Sequence, residues 1–193
     1  MPGPDSSDTG SSDTTPSGRH GPDPELESAT RRAVYQHVAD NPGVHFRGLV
    51  DTFSYAQGTL QYHLRWLVDE GLLEASDDGQ YTRYYPAAEF DAADKRVVNA
   101  LRRKYSRRIL AHLLSDGPLS TAVLADRLDK ADSTVSWHLS KLAEADLVSK
   151  ERDGRRVVYA AADPDRVSYL YTVYQQSFAD RVVDRLLGLW DNY

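Results

Sequence analysis

Apolar residues recur along most of the chain at helical spacing, and in two places this spacing gives way to short alternating runs. Between residues 107 and 145, three apolar sets at intervals of three or four predict three helices. Asp116-Gly117-Pro118 ends the first of these helices, and residues 129–132 form a polar turn before the third. The three sets are Ile109, Leu110, Leu113 and Leu114; Leu119, Val123, Leu124 and Leu128; and Val135, Leu139 and Leu142.

The period changes after residue 145. Residues 147–150 and 156–159 predict two strands, and the Asp153-Gly154 pair between them favours a tight turn with positive φ angles. Three helices followed by a two-stranded ribbon make a winged helix-turn-helix. We therefore expect a mainly α fold with small β-wings.

This unit occurs twice. Residues 32–86 align without a gap on residues 107–161, and 13 of the 55 pairs are identical. An ungapped match of this length indicates two copies of one structural unit. The identical pairs include His37/His112, Leu49/Leu124, Thr59/Thr134, His63/His138, Leu67/Leu142, Gly79/Gly154 and Tyr84/Tyr159.

The remaining segments complete the domain plan. Residues 1–24 are nearly devoid of apolar side chains, which predicts a disordered tail. We expect the first winged helix-turn-helix over residues 25–86 and the second over 106–162. Between them, apolar residues from Val97 to Ile109 keep one helical phase, so residues 87–105 should form a linker helix that runs into, or nearly into, the second domain.

Residues 163–193 predict a long C-terminal helix, with Asp163 as its N-cap and Pro164 as its first residue. Its apolar stripe either pairs with a second chain or folds back over the chain's own domains. We expect the pairing between chains, because the aromatic surface exceeds what a cap needs. The residues predicted to dimerise are Leu170, Tyr171, Tyr174, Phe178, Val182, Leu186 and Trp190.

Composition narrows the setting. The chain has 193 residues, a formal net charge of −6 and no cysteine, which excludes disulfides and thiolate metal sites. Asp supplies 22 of the 29 acids and Arg 18 of the 23 bases, a balance typical of a salt-rich cytoplasm or of a GC-rich genome. No apolar run approaches the ~18 residues of a membrane span, and no secretory signal is visible, so we expect a cytoplasmic protein without a membrane partner.

The third helix and ribbon carry a family resemblance. Residues 133–142 (STVSWHLSKL), 145–148 (ADLV) and 152–159 (RDGRRVVY) resemble the third helix and wing of ArsR/MarR-type regulators, and residues 58–64 and 70–73 are similar in the first copy. The whole arrangement resembles archaeal regulators with two such domains. The resemblance implies a DNA-binding transcriptional regulator without a cofactor, whose partner is double-stranded DNA. It does not say whether a small-molecule effector exists.

In the second copy, the third helix presents a polar face opposite its apolar one. Short hydroxyls approach bases or phosphates closely, an exposed indole packs on a sugar or a thymine methyl, and arginines suit the backbone and the minor groove. We expect this copy to be the main DNA reader. Its candidate residues are Ser133, Thr134, Ser136, Trp137, Ser140 and Lys141 on the helix, Lys150, Arg152, Arg155 and Arg156 on the wing, and Arg107 and Arg108 on the first helix.

The first copy is a weaker candidate. Its wing tip is Asp77-Asp78, which should repel phosphate, so this copy docks with its helix alone or serves as a partner surface. The side chains of that helix that can hydrogen-bond or stack on bases are Gln57, Thr59, Gln61, Tyr62 and Arg65.

Other chemistries find little support. His63 and His138 occupy the same place in each copy, and we interpret them as core-edge histidines rather than as metal ligands. The chain has no glycine-rich phosphate loop, nucleophile elbow or paired-carboxylate site, so we do not expect an enzyme. The alternative class is a winged-helix docking module without direct DNA readout, and RNA binding is a third reading.

Overall fold

The structure, a computed structural model, describes residues 24–154 and 156–178. The predicted tail therefore lies almost wholly outside the described residues. The elements in chain order are α1 (Pro24–Asp40), β1 (Val44–His45), α2 (Phe46–Thr52), α3 (Gln57–Asp69), β2 (Leu73–Asp77), β3 (Thr82–Pro86), α4 (Ala92–Leu101), α5 (Lys104–Asp116), α6 (Thr121–Leu128), α7 (Asp132–Glu144), β4 (Val148–Asp153), β5 (Arg156–Ala161) and α8 (Pro164–Phe178).

The first copy closes a core of its own. Helices α1, α2 and α3 pack over a three-stranded antiparallel sheet with the order β1-β3-β2. In the β2–β3 hairpin, Leu73 pairs with Pro86 and Asp77 with Thr82, and Gly79 takes a φ of +81° in the turn. The buried residues of this core are Val34, Val38, Val44, Leu49, Leu60, Leu64, Leu67 and Leu73.

The second copy repeats the plan with α5, α6, α7 and the β4–β5 hairpin. The counterpart of β1 is reduced to one bridge, in which Leu119 and Tyr159 exchange backbone hydrogen bonds of 3.0 and 2.8 Å. The predicted turn is present, with a φ of +59° at Gly154. The expected fold class, mainly helical with two small β-wings, is confirmed.

A two-residue break separates α4 from α5, so the linker helix runs nearly, but not continuously, into the second copy. Helix α4 starts with a capping box between Asp91 and Asp94. After it, Arg102 donates from Nε to the Pro42 carbonyl at 2.7 Å, and Arg103 takes an extended conformation. The break between α4 and α5 therefore lies at Arg102, whose side chain bonds to the first copy.

Helix α8 folds back over its own chain. Asp163 caps it, since its Oδ1 accepts from Arg166 N at 3.0 Å. Val167, Leu170 and Phe178 are buried in the same core as α4, α5 and the second copy. The core of the second copy thus extends to helices on both of its flanks, whereas that of the first copy does not.

This packing corrects the prediction for the C-terminal helix. Leu170 and Phe178 are buried within the chain, and Tyr171 and Tyr174 pack partly buried against the same core, so as placed they cover α4 and α5 rather than a partner. Tyr174 also contacts the Phe90 ring at 5.7 Å between centroids. The other predicted dimerisation residues, Val182, Leu186 and Trp190, lie outside the described residues.

Gly43 marks where the first copy meets α4. Its φ is +73°, and a Cβ added there would lie 2.9 Å from Val98 Cγ1 and 3.0 Å from the Tyr85 hydroxyl. Tyr85 is itself fully buried and donates to Asn99 Oδ1 at 2.6 Å, and burial raises its pKa to about 12. A side chain larger than hydrogen has no room at this junction.

In the described ranges, none of the helices has the length and apolar character needed to cross a membrane.

Candidate nucleic-acid interface

Helix α7 divides cleanly into a buried and an open face. Val135, Leu139 and Leu142 are buried at the spacing of one helical stripe. The opposite face is exposed along three turns, apart from Thr134, which is half-buried. Of the six residues predicted on this helix, those that are exposed are Ser133, Ser136, Trp137, Ser140 and Lys141.

Trp137 is the largest apolar side chain on that face, with 58% of its surface exposed. Its ring meets the His138 ring edge to face at 4.8 Å, and His138 in turn lies 5.3 Å from the Tyr105 ring of α5. Burial and the nearby Arg103 both lower the pKa of His138, which favours its neutral form. Neighbouring rings thus support the indole while its outer surface stays open.

In the second copy, the β4–β5 hairpin lies beside α7 and carries exposed cations. Lys150, Arg152 and Arg156 are exposed, and none of them forms an ion pair within the described part of the chain. The register pairs Lys150 with Tyr159 and Arg152 with Val157, which sets both cations on one face of the hairpin. Glu151 belongs to the other face. Arg155, the remaining predicted wing residue, lies outside the described residues.

Two of the cations predicted to contact DNA in the second copy already have partners within the chain. Arg107 is half-buried and donates from Nη1 to the Leu101 carbonyl at 2.8 Å, so it satisfies the end of α4 rather than facing outward. Lys141 is exposed but forms an ion pair with Glu144 at 2.6 Å. Arg108 is exposed as expected. Of the two arginines predicted on the first helix of the second copy, Arg108 therefore faces outward and Arg107 does not.

Helix α3 of the first copy shows a similar exposed face. Gln57, Thr59 and Gln61 are exposed, and Tyr62, which aligns with Trp137, has 53% of its surface open. Arg65 is exposed and lies 3.8 Å from the Asp69 carboxylate. The two recognition-type helices thus match in exposure, so exposure alone does not distinguish them.

The hairpin of the first copy differs from the expected acidic tip. The side chain of Asp78 is only 4% exposed and lies 2.5 Å from Arg83 Nε, with Arg103 at 3.4 Å. Burial acts to raise the pKa of Asp78, but the bonds from Arg83 and from the Tyr81 and Gln80 backbone outweigh it and hold that pKa below its usual range. Asp77 stays exposed and accepts from Gly79 N at 2.8 Å.

The prediction that Asp77 and Asp78 together repel phosphate is therefore wrong for Asp78, whose charge is neutralised internally. Sequence reasoning missed Arg83 and Arg103 as its partners, although Arg83 follows Asp78 at a spacing that a hairpin brings together. It also missed Arg166, which joins α8 to Asp91 at 2.9 Å and to Asp94 at 3.3 Å.

The two aligned histidines lie at the core edge. His63 is buried on the inner face of α3, and His138 is half-buried on α7. Within residues 24–154 and 156–178, no group of three or more His, Cys, Asp or Glu side chains is arranged to hold a metal ion.

Comparisons with known proteins agree with this architecture. A family described as an N-terminal HTH domain matches residues 28–98, and a family described as a helix-turn-helix domain matches residues 103–151. The chain therefore carries two helix-turn-helix domains, a class of binding domain and not of enzyme.

A curated relative carries the name of a regulator. The chain is 32% identical over 134 residues to an uncharacterised HTH-type transcriptional regulator of Methanocaldococcus jannaschii. The match covers 69% of this chain but 34% of that protein, so the chain spans about a third of the length of this curated relative. The protein is thus similar to an archaeal HTH-type transcriptional regulator.

Solved structures resemble single portions of the chain. The cadmium metal-sensor CMTR from Mycobacterium tuberculosis is 39% identical with a TM-score of 0.37, and the match covers 42% of this chain and 82% of that one. The homodimeric winged helix-turn-helix DNA-binding domain Mb0332 from Mycobacterium bovis is 27% identical with a TM-score of 0.37, covering 42% and 74%.

Proposed function

We propose that this protein is a sequence-specific, DNA-binding transcriptional regulator and that its second copy is the main DNA reader. The observation that carries the proposal is an open polar and aromatic face on α7 beside a hairpin on which Lys150, Arg152 and Arg156 have no ion-pair partner among residues 24–154 and 156–178. In a chain with a net charge of −6, such a local concentration of free cations indicates an anionic partner.

The exposed face of α7 suits a major groove. B-DNA admits one α-helix there, and the early residues of that helix meet base edges. Ser133, Ser136 and Ser140 follow one another at helical spacing and present short hydroxyls. Trp137 offers apolar contact to a sugar or a thymine methyl, and Lys141 lies one turn further along for a phosphate.

The hairpin supplies the nonspecific part of the affinity. Lys150 and Arg152 share a face, and Arg156 lies at the start of the returning strand. Their charge releases condensed counterions from the DNA, which makes affinity depend steeply on salt. We assign backbone contact to these residues together with Arg155 and Arg108. Arg107 is excluded because it is bound to Leu101.

The experiment compares two charge-matched double variants. Lys150→Ala/Arg152→Ala removes two free cations from the hairpin, and Arg47→Ala/Arg96→Ala removes two exposed cations from α2 and α4. Binding to mixed genomic fragments is measured by fluorescence anisotropy across a salt series. The hairpin variant should lose about tenfold or more in affinity, with the slope of log K against log salt reduced by about 2, while the control keeps both.

Equal retention of DNA by both variants would contradict the proposal and favour the docking module. One observation supports that second function. Tyr35, Trp66, Leu67 and Leu72 line a largely apolar pocket of about 270 Å³ in the first copy, and Leu72 is an exposed leucine there. Exposed apolar surface of this kind is typical of a protein-contact site.

We also propose that the chain forms a homodimer through the outer face of α8. Tyr169 and Val173 are exposed, four residues apart, on the side opposite the buried Val167 and Phe178. Sedimentation of Tyr169→Ser/Val173→Ser should then give a monomer where the unaltered chain gives a dimer, with Thr172→Ser as the control. Identical sedimentation of all three proteins would exclude this face.

A further inference from the structure

A cleft of about 880 Å³ separates the hairpin of the first copy from α7 of the second. This volume lies in the range of small-molecule sites. The cleft is lined from both copies, by His45, Gln80 and Tyr81 on one side and by Tyr105, Trp137 and His138 on the other.

Positive charge dominates the cleft. Five cations line it against two carboxylates, Asp78 and Glu144, in a protein that is acidic overall. The first turn of α5, which has no side-chain cap, also lies in its wall and adds the positive end of a helix. The cations are Arg83, Arg102, Arg103, Lys104 and Lys141.

Two of these cations are deeply buried, which limits the kind of anion that can approach them. The side chain of Arg83 is 5% exposed, and Arg102 Nη2 is buried without a hydrogen-bond partner among the residues that the structure describes. A rigid duplex cannot bring its phosphates to such recessed charges. Arg103, Lys104 and Lys141 lie nearer the opening, within reach of a small anion. Arg103 is 3.4 Å from Asp78 and Lys141 is 2.6 Å from Glu144, so an anion that binds there competes with these carboxylates for two of the three cations.

Aromatic rings flank the same space. Tyr105, His138 and Trp137 form one continuous wall, with ring centroids 5.3 and 4.8 Å apart along it. Across the cleft, Tyr81 lies 4.8 Å from His45. Rings in both walls suit a flat aromatic group, which stacks on such side chains irrespective of its hydrogen-bonding edge.

We propose that this cleft binds a small phosphorylated compound with an aromatic ring, of the nucleotide class, and that the bound compound competes with DNA. The phosphates lie against Arg103, Lys104 and Lys141, and the ring lies between the aromatic walls. The competition rests on the proposed function, because Trp137 and Lys141 belong both to the cleft and to the proposed DNA face.

Binding is tested by calorimetry on the full chain with magnesium-free ATP, pyrophosphate and adenosine as probes. ATP should bind saturably, pyrophosphate more weakly, and adenosine more weakly still. Lys104→Gln/Lys141→Gln should weaken ATP binding about tenfold or more, whereas Arg47→Gln/Arg96→Gln, which removes equal charge outside the cleft, should not. If neither ATP nor pyrophosphate binds, or if both double variants weaken binding equally, the site is overturned.

The aromatic wall is tested separately. Trp137→Ala should lower ATP affinity about tenfold, since stacking contributes roughly 1–3 kcal/mol per base, and should leave pyrophosphate binding unchanged. Equal losses for the two ligands would show that the indole does not stack on the ring and would overturn that part of the assignment.

Competition is measured by titrating ATP into the DNA complex at constant ionic strength, with chloride replacing ATP in the reference. The apparent Kd for DNA should rise in proportion to ATP once its own Kd is exceeded. If ATP binds but leaves DNA affinity unchanged, the competition is overturned while the ligand site stands. Failure to bind DNA without ATP would contradict only the proposed function.

Discussion

The two copies share a fold, and their third helices, α3 and α7, have similarly exposed outer faces. The charged residues of their hairpins, however, differ in whether they have ion-pair partners. In the first hairpin, Asp78 is enclosed by Arg83 and Arg103, so its charge is neutralised within the molecule, while Asp77 stays exposed. In the second, Lys150, Arg152 and Arg156 have no ion-pair partner in the described ranges. The difference shows that the role of a charged residue at a repeated position depends on the groups that it contacts, and not only on the residue being charged.

Their cores differ as well. The first copy closes on its own helices, whereas the second shares one apolar cluster with α4 and α8. Tyr85, in the last strand of the first copy, and Phe90, which follows that strand, belong to the second cluster. The second copy thus shares its core with α4 and α8, and the first copy meets α4 closely at Gly43.

The largest expected effect concerns α8. Phe178→Ala should lower the free energy of unfolding by about 3–5 kcal/mol, because it empties space in the shared core. Thr172→Ala on the exposed face of the same helix is the control and should change it by less than about 0.5 kcal/mol. Denaturant titration followed by circular dichroism measures both. Equal small effects would mean that the helix does not cover the second copy.

The buried ion pair of the first hairpin comes next. Asp78→Ala leaves Arg83 without its carboxylate and should cost about 3 kcal/mol, while Asp77→Ala should cost less than about 1 kcal/mol. Because the pKa of Asp78 is lowered by folding, its contribution is complete above the unfolded-state pKa and is lost as the pH falls through the folded-state value. Acid titrations of the unaltered chain and of Asp78→Ala should converge at low pH. Parallel curves would contradict this assignment.

The junction of the copies gives a smaller effect. Gly43→Ala should destabilise by about 2 kcal/mol, since the new methyl group meets Val98 and Tyr85 and the backbone has positive φ. Gly154→Ala also has positive φ, but nothing lies within 4 Å of its added Cβ, and it should cost about 1 kcal/mol. Thermal unfolding distinguishes them. If Gly43→Ala destabilises the protein no more than Gly154→Ala, the new methyl group does not meet Val98 and Tyr85 as the structure indicates.

The smallest effect comes from adding charge to each hairpin. Glu151→Lys should raise DNA affinity several-fold at low salt, because it adds a cation to the hairpin proposed to lie on the backbone. Asp77→Lys makes the same change of charge in the first hairpin and should raise affinity less than about twofold. Anisotropy at two salt concentrations measures both, and the reverse order would exchange the roles of the two copies.

Local features were predictable from the sequence, and long-range ones were not. The third helix of the second copy was expected from residue 133 to about 145 and spans Asp132–Glu144, because its apolar period and turns are local signals. The N-cap at Asp163 was expected for the same reason. The break at Arg102 and the binding of Arg107 to Leu101 depend on partners that no local pattern reveals.

The C-terminal helix shows the same limit in another form. Its apolar stripe was visible in the sequence, but the stripe does not show which surface packs against it. Two occupants were weighed, a second chain and the chain's own core, and the described half of the helix takes the second. The α4 helix, which supplies most of that contact, was itself predicted only as a linker.

The most direct test of the central claim compares the DNA affinity and sequence preference of Trp137→Ala with those of Tyr62→Ala. The two side chains occupy aligned positions and have similar exposure, so neither change should disturb the fold. Trp137→Ala should lose about tenfold or more in specific affinity, while Tyr62→Ala should stay within about twofold. Equal losses, or a larger loss for Tyr62→Ala, would contradict the assignment of DNA reading to the second copy.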